Sequence, residues 1–157
     1  GFSKFYSMIG WRLGYLIAPK AIIRNAQKLQ QNMFICAPTI SQHAALGALN
    51  IDPKEIQKMK REYIRNKDLL IKELGHIGLN LDYKPDSAFY VLCDMGRICQ
   101  DSLELSRDIL RKVHLGVAPG KDFGPNYNRH IRLSYASSIT NLKNGLAKLK
   151  KYIYQYT

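Results

Sequence analysis

At 157 residues the chain can hold one medium domain or pieces of two, and 46% hydrophobic content is enough for a packed core. No apolar run is long enough to span a bilayer and no charged leader precedes an apolar stretch, so neither a membrane span nor a signal peptide is expected. The balance of 24 basic to 12 acidic residues, a net charge of +12, would suit an anionic partner, but the charge is spread and not blocked. Lys54, Lys58, Lys60, Arg61, Arg65 and Lys67 alternate with Glu55, Glu62 and Asp68, as on a solvated helix, so no nucleic-acid partner is expected. Cys36, Cys93 and Cys99 are odd in number, lack a Cys-x-x-Cys spacing and have no histidine pair nearby. This argues against a disulfide framework or a metal site and for a reduced, cytoplasmic protein.

In chain order, Lys4 sits among small and apolar residues in Gly1-Phe2-Ser3-Lys4-Phe5-Tyr6-Ser7-Met8, and Arg12 follows between Gly10 and Gly14. A lysine stripped of part of its hydration becomes a usable amine nucleophile, and an arginine between glycines can bring its planar fork against a phosphate. Arg12 to Ala18 reads as an apolar strand stopped by Pro19. Ile22, Ile23, Ala26 and Leu29 give Lys20 to Gln31 a helical spacing, and Pro38-Thr39 restarts a helix running to about Leu49. Asp52-Pro53-Lys54-Glu55 opens a long helix with an N-cap, a proline at the first helical position and a glutamate placed for a capping box. Its stripe is Ile56, Met59, Tyr63, Leu70 and Leu74, and Gly75 is the expected stop.

Past Gly78 the pattern changes to short strands, turns and helices, the mark of a second, smaller layered unit. Leu79 to Leu81, Ala88 to Cys93, Val117-Ala118 and His130 to Tyr135 are the strand candidates. Asp101 with Glu104 caps a helix to Val113 whose stripe is Leu103, Leu110 and Val113. The last helix starts near Ser138 with the cleanest stripe in the chain, Ile139, Leu142, Leu146, Leu149 and Ile153. Arg132 lies inside a strand, where alternation places it on the same face as His130 and Ser134.

Small-apolar-Ser-Lys followed by Ser-Met-x-Gly-x-Arg-Leu-Gly resembles the cofactor-lysine signature of class I and II aminotransferases, which use pyridoxal 5'-phosphate (PLP). Pro38-Thr39 with Gln42-His43-Ala44-Ala45, Ala88-Phe89-Tyr90-Val91, Val117-Ala118-Pro119-Gly120 with Phe123-Gly124, and His130-Ile131-Arg132-Leu133-Ser134-Tyr135-Ala136 follow in the family's order. The resemblance covers nearly the whole chain and is to the carboxy-terminal portion of an aspartate aminotransferase-like protein. It implies an α/β chain of the PLP-dependent transferase fold type I, with residues 1–50 as the end of the large PLP-binding domain and 51–157 as a connecting long helix and small domain.

By the same resemblance, Lys4 is the catalytic lysine that carries PLP as a Schiff base, Arg12 binds the cofactor phosphate, and Arg132 binds the substrate α-carboxylate. The implied reaction moves an amino group between an amino acid and a 2-oxo acid, in a homodimer when full-length, while this portion alone is expected to be inactive. Two positions depart from the family pattern: Gly1 stands where many members have a phosphate-contacting hydroxyl, and Ser87 where glycine is common. The competing readings are a PLP lyase or synthase of the same fold and a transcription regulator with an aminotransferase-like domain.

Overall fold

The computed structural model describes residues 1–155, and these fall into two compact units, Gly1–Met59 and the part from Lys60 onward. In the first unit a loop with a short 3₁₀ turn, Ile9–Trp11, leads into α1 (Lys20–Phe34) and α2 (Thr39–Leu49). Its buried residues are few: Phe2, Met8 and Ala45 form a small cluster, with Tyr6, Leu13, Ala44 and Ala48 packed around them. Helix α1 buries nothing, and Ile22, Leu29, Met33 and Phe34 on it are exposed, as are Ile40, Leu46 and Leu49 on α2.

Arg12 to Ala18 forms no strand, against the expectation from its apolar run. Arg12 turns into the left-handed region, with φ 50 and ψ 45, which breaks the extended line at its first residue. Tyr15, Leu16 and Ile17 that follow are exposed, and a strand needs a ladder partner that no described segment supplies.

Helix α3 (Pro53–His76) begins in the first unit and continues into the second. Its start is as the sequence implies: the Lys54 amide donates to Asp52 Oδ1 at 2.9 Å, satisfying an otherwise orphan donor. Its end comes later than Gly75. Gly78, at φ +77, takes the left-handed position; its amide donates to the Gly75 carbonyl at 3.1 Å and the Leu79 amide to the Leu74 carbonyl at 2.9 Å. This pair of bonds is a Schellman closure. It also removes Leu79 to Leu81 from the strand list, because the Leu79 amide is already committed to the helix end.

The second unit is an antiparallel sheet with helices on one face. Its strands are β1 (Tyr90–Asp94), β2 (Ala118–Pro119) and β3 (His130–Ser134), in the spatial order β1-β3-β2. Val91 and Cys93 of β1 and Ile131 and Leu133 of β3 face the helices and are buried. Leu70 and Leu74 of α3, Leu105, Ile109 and Val113 of α4 (Ser102–Val113), and Leu142, Leu146, Leu149, Tyr152 and Ile153 of α5 (Ile139–Ile153) complete this core. Each fully buried aliphatic side chain contributes about 2 kcal/mol of transfer free energy. The stripe of α5 is the predicted one except that Ile139 is exposed and Tyr152 joins the core, its hydroxyl donating to Asp108 Oδ2 at 2.6 Å.

The stripe of α4 is shifted from the one expected: Leu110 is 53% exposed, and the buried face runs Ser102, Leu105, Ser106, Ile109, Val113. Two serines occupy it because the helix meets backbone there. Ser102 Oγ accepts from the Lys121 amide at 3.1 Å, and Ser106 Oγ donates to the Ser102 carbonyl at 2.7 Å. Asn66 is a further polar residue hidden in an apolar face. Its Nδ2 donates to the carbonyls of Tyr135, at 3.1 Å, and Ser137, at 2.8 Å, so a side chain of α3 ties down the turn from β3 to α5.

Two expectations follow for the second unit. A Cβ on Gly120 would lie 2.2 Å from the Tyr127 carbonyl oxygen and 2.5 Å from that of His130, both backbone atoms that cannot swing aside. Gly120→Ala is expected to destabilise this unit by about 1–3 kcal/mol in urea unfolding, the range for overpacking; an unchanged midpoint would show that the loop shifts freely. Asp101 is held below the ordinary carboxylate value of about 3.9 by its hydrogen bond from Lys121 and then by the Leu103 amide. A carboxylate with a lowered folded pKa stabilises above its unfolded pKa and loses that contribution as pH falls through the folded one. The stability difference between wild type and Asp101→Asn should therefore be constant at neutral pH and shrink below about pH 4.

Candidate active site

The loop that carries Lys4 and Arg12 is closed by its own backbone. The Phe2 amide donates to the Leu13 carbonyl at 3.3 Å and the Met8 amide to the Phe2 carbonyl at 3.3 Å, which brings the segment around Arg12 back beside the start of the chain. Gly1 and Gly14 face each other across this closure, where a Cβ on Gly1 would make ordinary contact with the Gly14 Cα at 4.0 Å. Inside the closure a Lys4 carbonyl to Ser7 amide bond, at 3.1 Å, and a Met8 carbonyl to Trp11 amide bond, at 3.2 Å, make two tight turns.

Apolar residues of the same loop point inward. Phe2, 5% exposed, and Met8, 6% exposed, pack with Ala45 of α2, and Tyr6 and Tyr15 stack around the Phe2 ring at 5.3 and 5.8 Å. Lys4 and Arg12 are therefore left on the exposed side of a pinned loop. Ser7, at φ 55, and Arg12, at φ 50, are both non-glycine residues in the left-handed region. Each such residue costs about 1–2 kcal/mol, and the surrounding hydrogen bonds and apolar cluster hold it there. The Arg12 guanidinium has one long hydrogen bond, 3.4 Å to the Ile9 carbonyl, so most of its donors have no acceptor among the described residues. A primary amine and an uncommitted guanidinium on one closed loop are the donor set required by a carbonyl cofactor that carries a phosphate.

Arg132 is in the second unit, at the middle of the central strand, paired with Leu92 on one side and Ala118 on the other. With Ile131 and Leu133 turned into the core, Arg132 projects from the opposite face of the sheet, as alternation requires. Its guanidinium lies 4.9 Å from the centroid of the Tyr90 ring and 4.9 Å from that of Phe123. No hydrogen bond or ion pair of the Arg132 side chain is present among the described residues. Tyr90 and Phe123 carry no role that the sequence reading assigned. Both stand in motifs of the family pattern, Ala88-Phe89-Tyr90-Val91 and Phe123-Gly124, and parity along β1, where Tyr90 and Leu92 share a face, points to Tyr90 as well.

Of the three free cysteines, Cys36 is exposed and Cys93 and Cys99 are buried. Burial, aided by Asp94 and Asp82, pushes the Cys93 thiol up to about 12, and burial raises Cys99, so both stay protonated and inert as nucleophiles. Among the described residues no group of three or more His, Cys, Asp or Glu side chains could hold a metal ion, and no helix is long and apolar enough to cross a membrane.

Comparison with known proteins places this geometry in context. The profile of aminotransferase class I and II matches residues 1–149. A (5-formylfuran-3-yl)methyl phosphate transaminase of Methanocaldococcus jannaschii is 40% identical over 154 residues, spanning 98% of this chain and 40% of that protein. An aspartate aminotransferase of Pyrococcus abyssi is 35% identical over 153 residues, spanning 96% of this chain and 39% of that protein. The crystal structure of an aromatic aminotransferase from Pyrococcus horikoshii superposes with a TM-score of 0.90 at 32% identity, covering 99% of this chain and 42% of that one. The chain thus spans about 40% of the length of the curated relatives it matches. With the α/β organisation of fold type I, a profile match over almost its full length and relatives of this identity, the chain belongs to the class I and II aminotransferase family.

Proposed function

We propose that this chain is part of a PLP-dependent aminotransferase that moves an amino group between an amino acid and a 2-oxo acid. Residues 1–50 serve as the end of its PLP-binding domain, and residues 51–157 as the connecting helix and small domain. The observation that carries this reading is the placement of the cationic groups: Lys4 on one pinned loop with Arg12, whose guanidinium has a single long hydrogen bond, and Arg132 beside two aromatic rings with its N–H donors unpaired among the described residues. PLP, when bound, supplies a ring that accepts the electron pair released at the substrate Cα.

Lys4 would hold the cofactor carbonyl through its amine and would serve as the base that takes the proton from the substrate Cα. Arg12 stays charged at any working pH and holds the cofactor phosphate. Arg132 binds the substrate α-carboxylate through two parallel N–H donors, which fixes the orientation of the Cα–H bond. Aspartate, valine and aromatic amino acids appear in the names of relatives and share only their α-amino and α-carboxylate groups. A single arginine set to receive a carboxylate fits that common part. Those names also favour an aminotransferase over a lyase or a regulator.

The three free cysteines support a reducing, cytoplasmic setting. The exposed apolar side chains of α1 and α2 support burial of this surface in the complete, homodimeric enzyme.

Two experiments on the full-length protein test this. After incubation with PLP and borohydride, the label is expected on Lys4; a label on Lys20 or another lysine would remove the assignment. Arg132→Lys keeps the charge and loses the fork, and is expected to cost about 2–4 kcal/mol in kcat/KM for the amino donor with little change in PLP affinity. Unchanged kcat/KM would take Arg132 out of the site.

A further inference from the structure

The Arg132 guanidinium lies over two aromatic rings, with the Tyr90 centroid and the Phe123 centroid each 4.9 Å from its central carbon. The two rings come from different elements, Tyr90 from β1 and Phe123 from the 3₁₀ turn Gly120–Phe123. Stacking on the faces of a guanidinium uses its charge and its weakly hydrated planar surface and leaves the in-plane N–H donors untouched. It also stops the plane from rotating. An arginine clamped this way has lost its conformational freedom before a ligand arrives, and what remains open is the edge that a carboxylate meets with two parallel bonds.

The turn that brings Phe123 into place is itself pinned. Lys121 Nζ reaches both carboxylate oxygens of Asp101, at 3.1 and 3.0 Å, and the Lys121 amide donates to Ser102 Oγ at 3.1 Å. Gly120 sits so close to the Tyr127 and His130 carbonyls that no side chain fits, and Gly124, at φ +126, reverses the chain straight after Phe123. Asp101 in turn caps α4 through the Leu103 and Glu104 amides. The position of the Phe123 ring is thus set by the amino end of α4. Phe123 is still 40% exposed, which is a poor use of a large apolar ring if packing were its whole purpose.

We propose that Tyr90 and Phe123 are positioning residues: an aromatic clamp that holds the plane of Arg132 so that its edge receives the α-carboxylate of the amino-acid substrate. This rests on the assignment of Arg132 as the carboxylate-binding arginine, and its test separates the two.

Phe123→Leu and Tyr90→Leu keep apolar bulk and remove the ring, while Phe123→Tyr and Tyr90→Phe keep the ring. In the full-length PLP-loaded enzyme, each Leu variant is expected to raise KM for the amino donor about 2- to 30-fold. Inhibition by propionate, a carboxylate with no amino group, is expected to weaken by a similar factor. PLP affinity and the urea midpoint should hold, and both ring-keeping variants should behave as wild type. In the Arg132→Lys background the Leu substitutions should add little, because the plane they hold is gone. Unchanged KM and propionate inhibition in both Leu variants, with Arg132→Lys strongly impaired, would overturn the clamp and leave the arginine's role intact. Loss of PLP affinity and stability in parallel with KM, not rescued by the ring-keeping variants, would show a merely structural part. An Arg132→Lys variant with unchanged KM would overturn the carboxylate assignment and the clamp with it.

Discussion

The alternation of β3 is the constraint on which the rest of the second unit depends. Ile131, 0% exposed, and Leu133, 9% exposed, must lie against Leu70, Leu74, Ile109 and Leu149, so Arg132 between them has no freedom to choose its face. A shift of register by one residue would put the guanidinium into an apolar core, at a cost of several kcal/mol, and the two buried side chains into water. The same core that makes this unit fold therefore aims its one central cation. Pairing with Leu92 on one side and Ala118 on the other then fixes its height along the sheet.

A second layer of control comes from the amino end of α4. The Asp101 carboxylate accepts from the Leu103 and Glu104 amides and pairs with Lys121, so one side chain ends the loop, starts the helix and holds the following crossover in place. Helix starts are common places to find an aspartate, because the first amides of a helix lack partners. Here the same carboxylate also fixes a turn distant in sequence. That coupling makes the helix cap part of what determines the position of the Phe123 ring.

How much of this is legible from residues alone depends on how local the cause is. Asp52 and Asp101 cap where expected, and the last helix starts at Ser138 as expected, because a cap is a contact over two or three residues. The stripe of α5 is legible for the same reason. Arg12 to Ala18 is not, since a run of apolar residues reports that a segment is to be covered and not that it pairs in a ladder. Leu79 to Leu81 fails differently: the Schellman closure at Gly78 takes the amide a strand would need. The stripe of α4 is misphased because the buried face includes Ser102 and Ser106, whose hydroxyls serve backbone partners. For the site, Lys4, Arg12 and Arg132 are found by pattern; Tyr90 and Phe123 also stand in motifs of that pattern, but that they meet Arg132 is visible only in the tertiary structure.

The two cationic sites are built in opposite ways, and the difference matches the tasks proposed for them. Arg132 belongs to the central strand, with unstrained extended backbone, paired neighbours and two rings against its guanidinium, which suits a group that has to bind without moving. Lys4 belongs to a turn whose companions Ser7 and Arg12 occupy the left-handed region and whose closure rests on two amide bonds of 3.3 Å. Such a loop is held by a small cluster, Phe2, Met8 and Ala45, against the much larger core behind the sheet. A side chain that must be displaced from its carbonyl and then reach the substrate Cα needs local freedom at its own position and firmness just behind it. An exposed lysine on a turn, with its neighbouring phenylalanine and methionine anchored, has reach from a firm base; the same amine on a central strand would have the firmness without the reach.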